Sequence, residues 1–316
     1  MRFVLIHNPA SGRGGHRRAQ QLRQVSLALS ALGHRVEVAE TTVNSSATTL
    51  ARNAARGGAE IVFACGGDGT IHEVLQGLVS ESGEQASVLG IIPLGSANAF
   101  ARHLGISLDP LKAALQGING TALTIPVGKV RWSGQVRYFA VMAGAGPDGA
   151  LVYDLLAANK RGLGRLAYYL HAARLFATSG FPAFEIEYAD AESGNTVTEK
   201  AVSAMAVRVS SLGGVFSGLA RRGASIYDRR LQLLILRPPA ALSLPVWFLT
   251  GWLGLRRVNP YLSDVTATTF LCRPLEGLAP HCQADGEWLG RIPMQVSIVP
   301  NALRIQVPSQ EGTRGV

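Results

Sequence analysis

The stretch "IVFACGGDGTIHEVL", residues 61–75, sets an apolar run directly against a turn made of Gly66, Gly67, Asp68 and Gly69, with Thr70 opening the next helical segment. Glycines there permit unusual backbone angles and let a ligand come close to the main chain. The helix start that follows offers amide donors and a partial positive charge, which suits a phosphate. Asp68 would repel a phosphate, so its useful work is to cap the helix or to hold Mg²⁺ against the phosphates, directly or through water. The spacing is neither that of a P-loop nor that of a G-x-G-x-x-G dinucleotide loop. Taken alone, the turn has as its alternative a tight strand-to-helix connection closed by Asp68, the weaker of the two readings.

The elements around it argue that it is not alone. Strands are expected at 2–7, 35–40, 60–66 and 88–95, and helices at 16–32, 45–58 and 70–79, each defined by its apolar spacing and turn residues. In the first helix Leu22, Val25, Leu29 and Leu32 share a face, and Gly33 closes it. Strand and helix in strict turn imply a parallel sheet with helices on its faces, and such sheets bind ligands at the carboxyl ends of their strands. "HNPASGRGG" follows the first strand and "IPLGSANAFAR" the fourth, so three glycine-bearing loops leave the sheet at one end. After about residue 125 the rhythm changes to many strand-like runs with short turns, interrupted by helical stretches at 161–178 and 240–255, which suggests an antiparallel sandwich or barrel.

Composition narrows the class. A chain of 316 residues with 47% hydrophobic residues, 36 Gly and 15 Pro reads as a folded, loop-rich protein long enough for two domains. Cys65, Cys272 and Cys282 form neither a disulfide framework nor a metal-binding spacing. The first residues read as a strand rather than a signal peptide, and no segment has the length of a membrane span. A net charge of +9 favours phosphate-bearing partners, but no zinc-finger, leucine-zipper or RNA-binding signature supports nucleic acid.

Taken in order, "NPASGRGG", "GGDGT" and "IPLGSANAFAR" resemble the nucleotide-binding motifs of the diacylglycerol kinase catalytic-domain family, which includes bacterial lipid kinases and sphingosine kinases. The resemblance continues through "AGAGPDGALV" (143–152), "KRGLGRLAYYLHAARLF" (160–176), "IYDRRLQLLIL" (226–236) and "QADGEWLGRIPMQVSIVPNALRIQVP" (283–308), nearly the whole chain. GGDGT by itself is shared with NAD kinases and phosphofructokinases; the ordered set is more specific. The resemblance implies an α/β nucleotide-binding domain over residues 1–124, a β-sandwich-like lipid-binding and catalytic domain over 125–300, a C-terminal segment 301–316 returning to the first domain, and an active site in the cleft between the two. It implies ATP and Mg²⁺ as cofactors and transfer of the γ-phosphate to a hydroxyl of a diacylglycerol-like or sphingoid-type lipid.

Residue by residue, it places Asn8, Arg13, Thr41, Gly66, Gly67, Asp68, Gly69, Thr70, Gly95, Ser96 and Asn98 at the nucleotide, with Ser96 in the usual threonine position. It places the catalytic base in "DGE", on Asp285 or Glu287, although Asp-Gly is also the favoured hairpin turn. Asp68 and Asp148 match acidic positions near the metal. Asp228, with carbonyls near Ser225 and Arg230, matches a structural Mg²⁺ loop of some bacterial members, with Arg229 where glycine is usual. Ala99 stands where many family members carry aspartate, which weakens a claim for diacylglycerol in particular. An NAD kinase and a catalytically silent lipid-binding regulator are the alternatives; "PLGSAN" and the terminal "DGE" pattern speak against the first.

A lipid kinase must collect its substrate from a bilayer. "AALSLPVWFLTGWLGLRRV" (240–258) brings Trp247, Phe248 and Trp252 together with Arg256 and Arg257, which fits an element lying on anionic lipid, though a core helix has equal standing. Arg221, Arg222, Lys160, Arg161 and Arg165 would add attraction. The expected partners are a lipid substrate and the cytoplasmic face of the membrane, with no nucleic acid; a homodimer is allowed.

Overall fold

The computed structural model describes residues 1–10, 15–84, 86–157, 174–175, 180–209, 224–255, 258–275 and 277–309. The chain divides into two compact units, residues 1–127 with the chain from 300 onward, and residues 128–299.

The first unit alternates strand and helix: β1 (Arg2–His7), α1 (Gly15–Ala31), β2 (Arg35–Glu40), α2 (Ala47–Arg56), β3 (Ile61–Gly66), α3 (Asp68–Leu78), β4 (Val88–Pro93), α4 (Ala99–His103) and α5 (Pro110–Asn119). β1 pairs in parallel with β2 and β3, and β3 with β4. β3 and β4 are buried at every position, as strands covered on both faces must be. β2, at the edge, is mostly exposed. Phe3, Leu5, Phe63 and Ile92 of the sheet pack with Leu22, Val25 and Leu29 of α1. Leu32, expected on that buried face, is 55% exposed because α1 ends at Ala31 and Gly33 (φ 81°) turns the chain away. Ser46 caps α2 by accepting from the Thr49 amide at 3.2 Å.

The second unit is antiparallel. It takes in the end of β5 (Thr121–Trp132), then β6 (Gln135–Phe139), β7 (Met142–Ala145), α6 (Pro147–Ala157), β8 (Phe184–Asp190), β9 (Thr196–Ala201), β10 (Ser203–Val207), β11 (Leu231–Leu236), α7 (Ala240–Trp252), β12 (Leu262–Pro274), β13 (His281–Ala284), β14 (Glu287–Arg291) and the start of β15 (Met294–Val307). The strands run in the order β14-β13-β7-β10-β11-β12, and β12 also pairs with β8 and β15. Its core is built on Phe139, Phe184, Leu233, Phe270, Met294 and Val296. The end of β15 belongs to the first unit, where Ile305 lies beside Leu89 in parallel register. All three cysteines are buried free thiols. The helix expected at 161–178 falls almost wholly outside the described residues.

Candidate active site

In the first unit β1, β3 and β4 run parallel, so the loops that follow them emerge at the same end of the sheet. The β3–α3 turn and the loop after β4 touch through their main chains. A Cβ on Gly67 would lie 3.2 Å from the Gly95 Cα, and a Cβ on Gly95 would collide with the Gly67 Cα. Leu94 N–H donates to the Gly66 carbonyl at 2.9 Å. The glycines are therefore needed for closeness. Gly66, Gly67 and Gly69 do not adopt left-handed angles, and Gly67 sits at φ −92°.

Asp68 closes this corner. Its carboxylate accepts from the amides of Ala99 (3.1 Å) and Phe100 (3.0 Å), so it caps α4 on the neighbouring loop rather than its own helix. Asn98, left-handed at φ 50°, grips its own loop by accepting from Gly95 N–H and donating to the Gly95 carbonyl. α3 starts at Gly67 with no side-chain cap.

An open cavity of about 720 Å³ borders that uncapped start. Gly67, Gly69, Thr70, Gly95, Ser96 and Asn98 line it, together with Arg17, Arg18 and Arg102. Among the described residues, no acidic side chain is in the lining. Arg17 and Arg18 occupy the first turn of α1, which carries no acidic residue; cations there oppose the helix dipole unless an anion joins them. Of the residues expected at the nucleotide, Asn8 and Thr41 lie outside this lining: Asn8 accepts from Ala10 N–H, and Thr41 N–H extends the β1–β2 ladder to His7. Gly66 and Asp68 are likewise outside the lining. Arg13 is outside the described residues. Arg17, Arg18 and Arg102 were missed in the sequence, although "HRR" directly follows the first glycine loop and Arg102 ends the third motif.

In the second unit, Asp285 and Gly286 form the two-residue turn of the β13–β14 hairpin, both left-handed (φ 47° and 81°). The Asp285 carboxylate accepts three main-chain amides, from Ala140 (2.7 Å), Val141 (2.9 Å) and Met142 (2.9 Å). Glu287 pairs with Arg137. Asp148, in the first turn of α6, accepts from Gln283 Nε2 at 3.0 Å, and Gln283 in turn accepts from Gly286 N–H. Burial pushes the Asp148 carboxyl up to about 6, with the Gln283 bond opposing. Its Oδ1 is buried without a partner.

Two expectations for metal do not fit these residues. Asp148 has an amide partner where a metal network would supply further acids, and among the described residues no three His, Cys, Asp or Glu side chains gather around one point. Asp228 folds onto its own turn: its carboxylate accepts from Ser225 N–H at 3.2 Å, and its own N–H donates to the Ser225 carbonyl at 3.1 Å. Arg208, only 2% exposed, donates from Nη2 to the Ile226 carbonyl at 2.6 Å in the same turn. Burial lowers its guanidinium to about 10, while the charges of Asp285 and Asp228 work in the opposite direction.

Elsewhere in the unit, Trp288 Nε1–H donates to His281 Nδ1 at 3.0 Å, and Tyr153 stacks on His281 at 4.4 Å. The two aromatic residues Tyr153 and Phe181 also line a mainly apolar cavity of about 220 Å³ with His281 and Arg291. On α7, Trp247 is buried, only 6% exposed, as the core-helix reading of this segment has it. Leu242 and Leu249 on the helix, with Leu253, Leu255 and Val258 after it, are the exposed apolar residues. The Trp252 side chain, Arg256, Arg257, Arg221, Arg222, Lys160, Arg161 and Arg165 lie outside the described residues.

This site of glycine loops and arginines belongs to a chain whose relatives are known. Residues 2–130 match the model of the diacylglycerol kinase catalytic domain. A diacylglycerol kinase of Bacillus subtilis is 37% identical over 237 residues, 75% of this chain and 74% of that one. A probable lipid kinase YegS-like protein of Chromohalobacter salexigens is 36% identical over 138 residues, 44% of this chain and 43% of its own. A crystal structure from Bacillus anthracis, assigned as a diacylglycerol kinase, shares the fold with a TM-score of 0.73 at 22% identity, covering 97% of this chain and 96% of that one. The chain belongs to the diacylglycerol kinase family of lipid kinases.

Proposed function

We propose that this lipid kinase takes the γ-phosphate of ATP and passes it to a hydroxyl of a diacylglycerol-like lipid. The observation that carries the reading is the cavity beside Gly67 and Gly95, where uncapped helix amides and three arginines face open space with no acid among the described residues of the lining. Amides at a helix start and guanidinium groups are the donors a triphosphate needs, and phosphoryl transfer depends mainly on positioning and on neutralising charge. The name of the Bacillus subtilis relative supports the lipid class.

Mg²⁺ supplies charge neutralisation between the phosphates in such a transfer. Asp68, the carboxylate of this corner, would hold that ion directly or through water beside its bonds to the Ala99 and Phe100 amides, and the ion would supply charge neutralisation for the phosphates. Gly67, Gly69 and Thr70 would hold the phosphates, with Arg17, Arg18 and Arg102 compensating their charge. The Asp285–Glu287 turn would supply the proton acceptor for the lipid hydroxyl. Asp285 is fixed by its three amide donors, and Glu287 stands beside it on Arg137.

The exposed leucines around α7 would rest on the bilayer surface, drawn there by the basic chain. Leu249→Glu with Leu253→Glu is expected to weaken sedimentation with anionic vesicles about tenfold while ATP binding is kept. The reading as a whole is tested by incubating the protein with γ-labelled ATP and a panel of diacylglycerol, sphingoid base and extracted lipids. Label in the diacylglycerol product supports it. Label only in a sphingoid product moves the substrate class, and no labelled lipid in any arm overturns the reading.

A further inference from the structure

We infer that the buried guanidinium of Arg208 does, in this chain, the work that a structural divalent cation would do at the Asp228 turn. Arg208 follows β10 and is fully enclosed by the protein. Its Nη2–H reaches the carbonyl of Ile226, which lies between the two carbonyls, at Ser225 and Arg230, that a metal loop would offer. The Ser225 carbonyl already accepts from Asp228 N–H, and the Asp228 carboxylate already accepts from Ser225 N–H. Three oxygens of this turn, on Ser225, Ile226 and Asp228, thus already accept from internal donors. A divalent ion placed among them would be repelled by the positive charge of Arg208, which is itself buried and little screened by water.

Arg208 also ties this turn to the candidate catalytic one. Its main-chain N–H donates to the Val141 carbonyl at 2.9 Å, and Val141 N–H is one of the three donors that hold Asp285. The negative charges of Asp285 and Asp228 both favour its charged form. A fixed side chain replaces an exchangeable ion, and the two acidic turns share one internal counter-charge. Arg208 is on this account a positioning residue. The inference does not depend on the lipid or on ATP, because its readout is the stability of the protein without nucleotide.

The test is the thermal midpoint of the nucleotide-free protein in EDTA and in millimolar MgCl₂, for the wild type, Asp228→Asn, Arg208→Lys and Arg208→Met. The wild type is expected to show no midpoint shift with Mg²⁺. Arg208→Met is expected to melt about 5–10 °C lower, because it removes a buried guanidinium and leaves the enclosed Ile226 carbonyl without its donor. Arg208→Lys, which keeps the charge, is expected to recover part of the loss. Mg²⁺ stabilisation that survives Asp228→Asn belongs to another site and leaves the inference standing. Mg²⁺ stabilisation of the wild type that Asp228→Asn removes would overturn it, and this comparison decides even if the Arg208 variants do not fold.

Discussion

The phosphate corner of the first unit and the acidic turn of the second hold their groups by opposite means. In the first, main chain meets main chain: Gly67 and Gly95 approach so closely that no Cβ fits between them, and the donors facing the cavity are amides and guanidinium groups. In the second, charged and polar side chains are what is held: the Asp285 carboxylate by three main-chain amides from a distant segment, and Asp148 by the side chain of Gln283. A main-chain site tolerates no added atom at its contact points. A side-chain site depends on which atoms are charged.

Substitutions that exploit this contrast should separate the two. The largest effect is expected for Gly95→Ala, whose Cβ meets backbone that cannot move aside; ATP affinity in calorimetry should fall by about 100-fold or more, and the thermal midpoint should fall with it. In the second unit, Asp285→Ala leaves three amides without an acceptor and should cost about 3 kcal/mol or more of stability by denaturant titration, with phosphoryl transfer lost. Glu287→Gln removes a partly exposed ion pair worth at most about 1 kcal/mol, so it should keep the fold while transfer drops by about 10²-fold or more.

A smaller, pH-dependent effect sits at Asp148. With its carboxyl raised to about 6 from an ordinary 3.8, the folded chain keeps a proton that the unfolded chain gives up. Stability therefore falls as pH rises through that window and levels off above it. Relative to the wild type, Asp148→Asn should gain up to about 3 kcal/mol between pH 4 and pH 7. Parallel pH curves for the two proteins would show that the carboxyl is not held in this way.

The first unit was largely legible because its contacts are local. β1 to β4 and α1 to α3 announce themselves by apolar runs and glycines within ten or so residues. α5 was passed over although Asp109 caps it and Pro110 opens it, both ordinary start signals. In the second unit the DGE turn could be read as a hairpin, but the partners of Asp285 come from residues 140–142, and no local pattern joins segments so far apart. Arg208 lies in the run "AMAVRVSS", where one arginine behind a buried strand looks like an exposed strand end. Asp68 was read as either cap or metal ligand; that it caps the helix of another loop needed the fold.

The most direct test of the phosphate corner is ATP titration of Gly69→Ala beside the wild type. A Cβ at Gly69 meets no protein atom, and alanine is the better helix former by about 1 kcal/mol, so the variant should be at least as stable as the wild type. Because Gly69 borders the cavity, the same methyl should crowd the phosphates and weaken ATP binding at least about tenfold. A stable Gly69→Ala protein that binds ATP as tightly as the wild type would contradict the assignment of this cavity to the nucleotide.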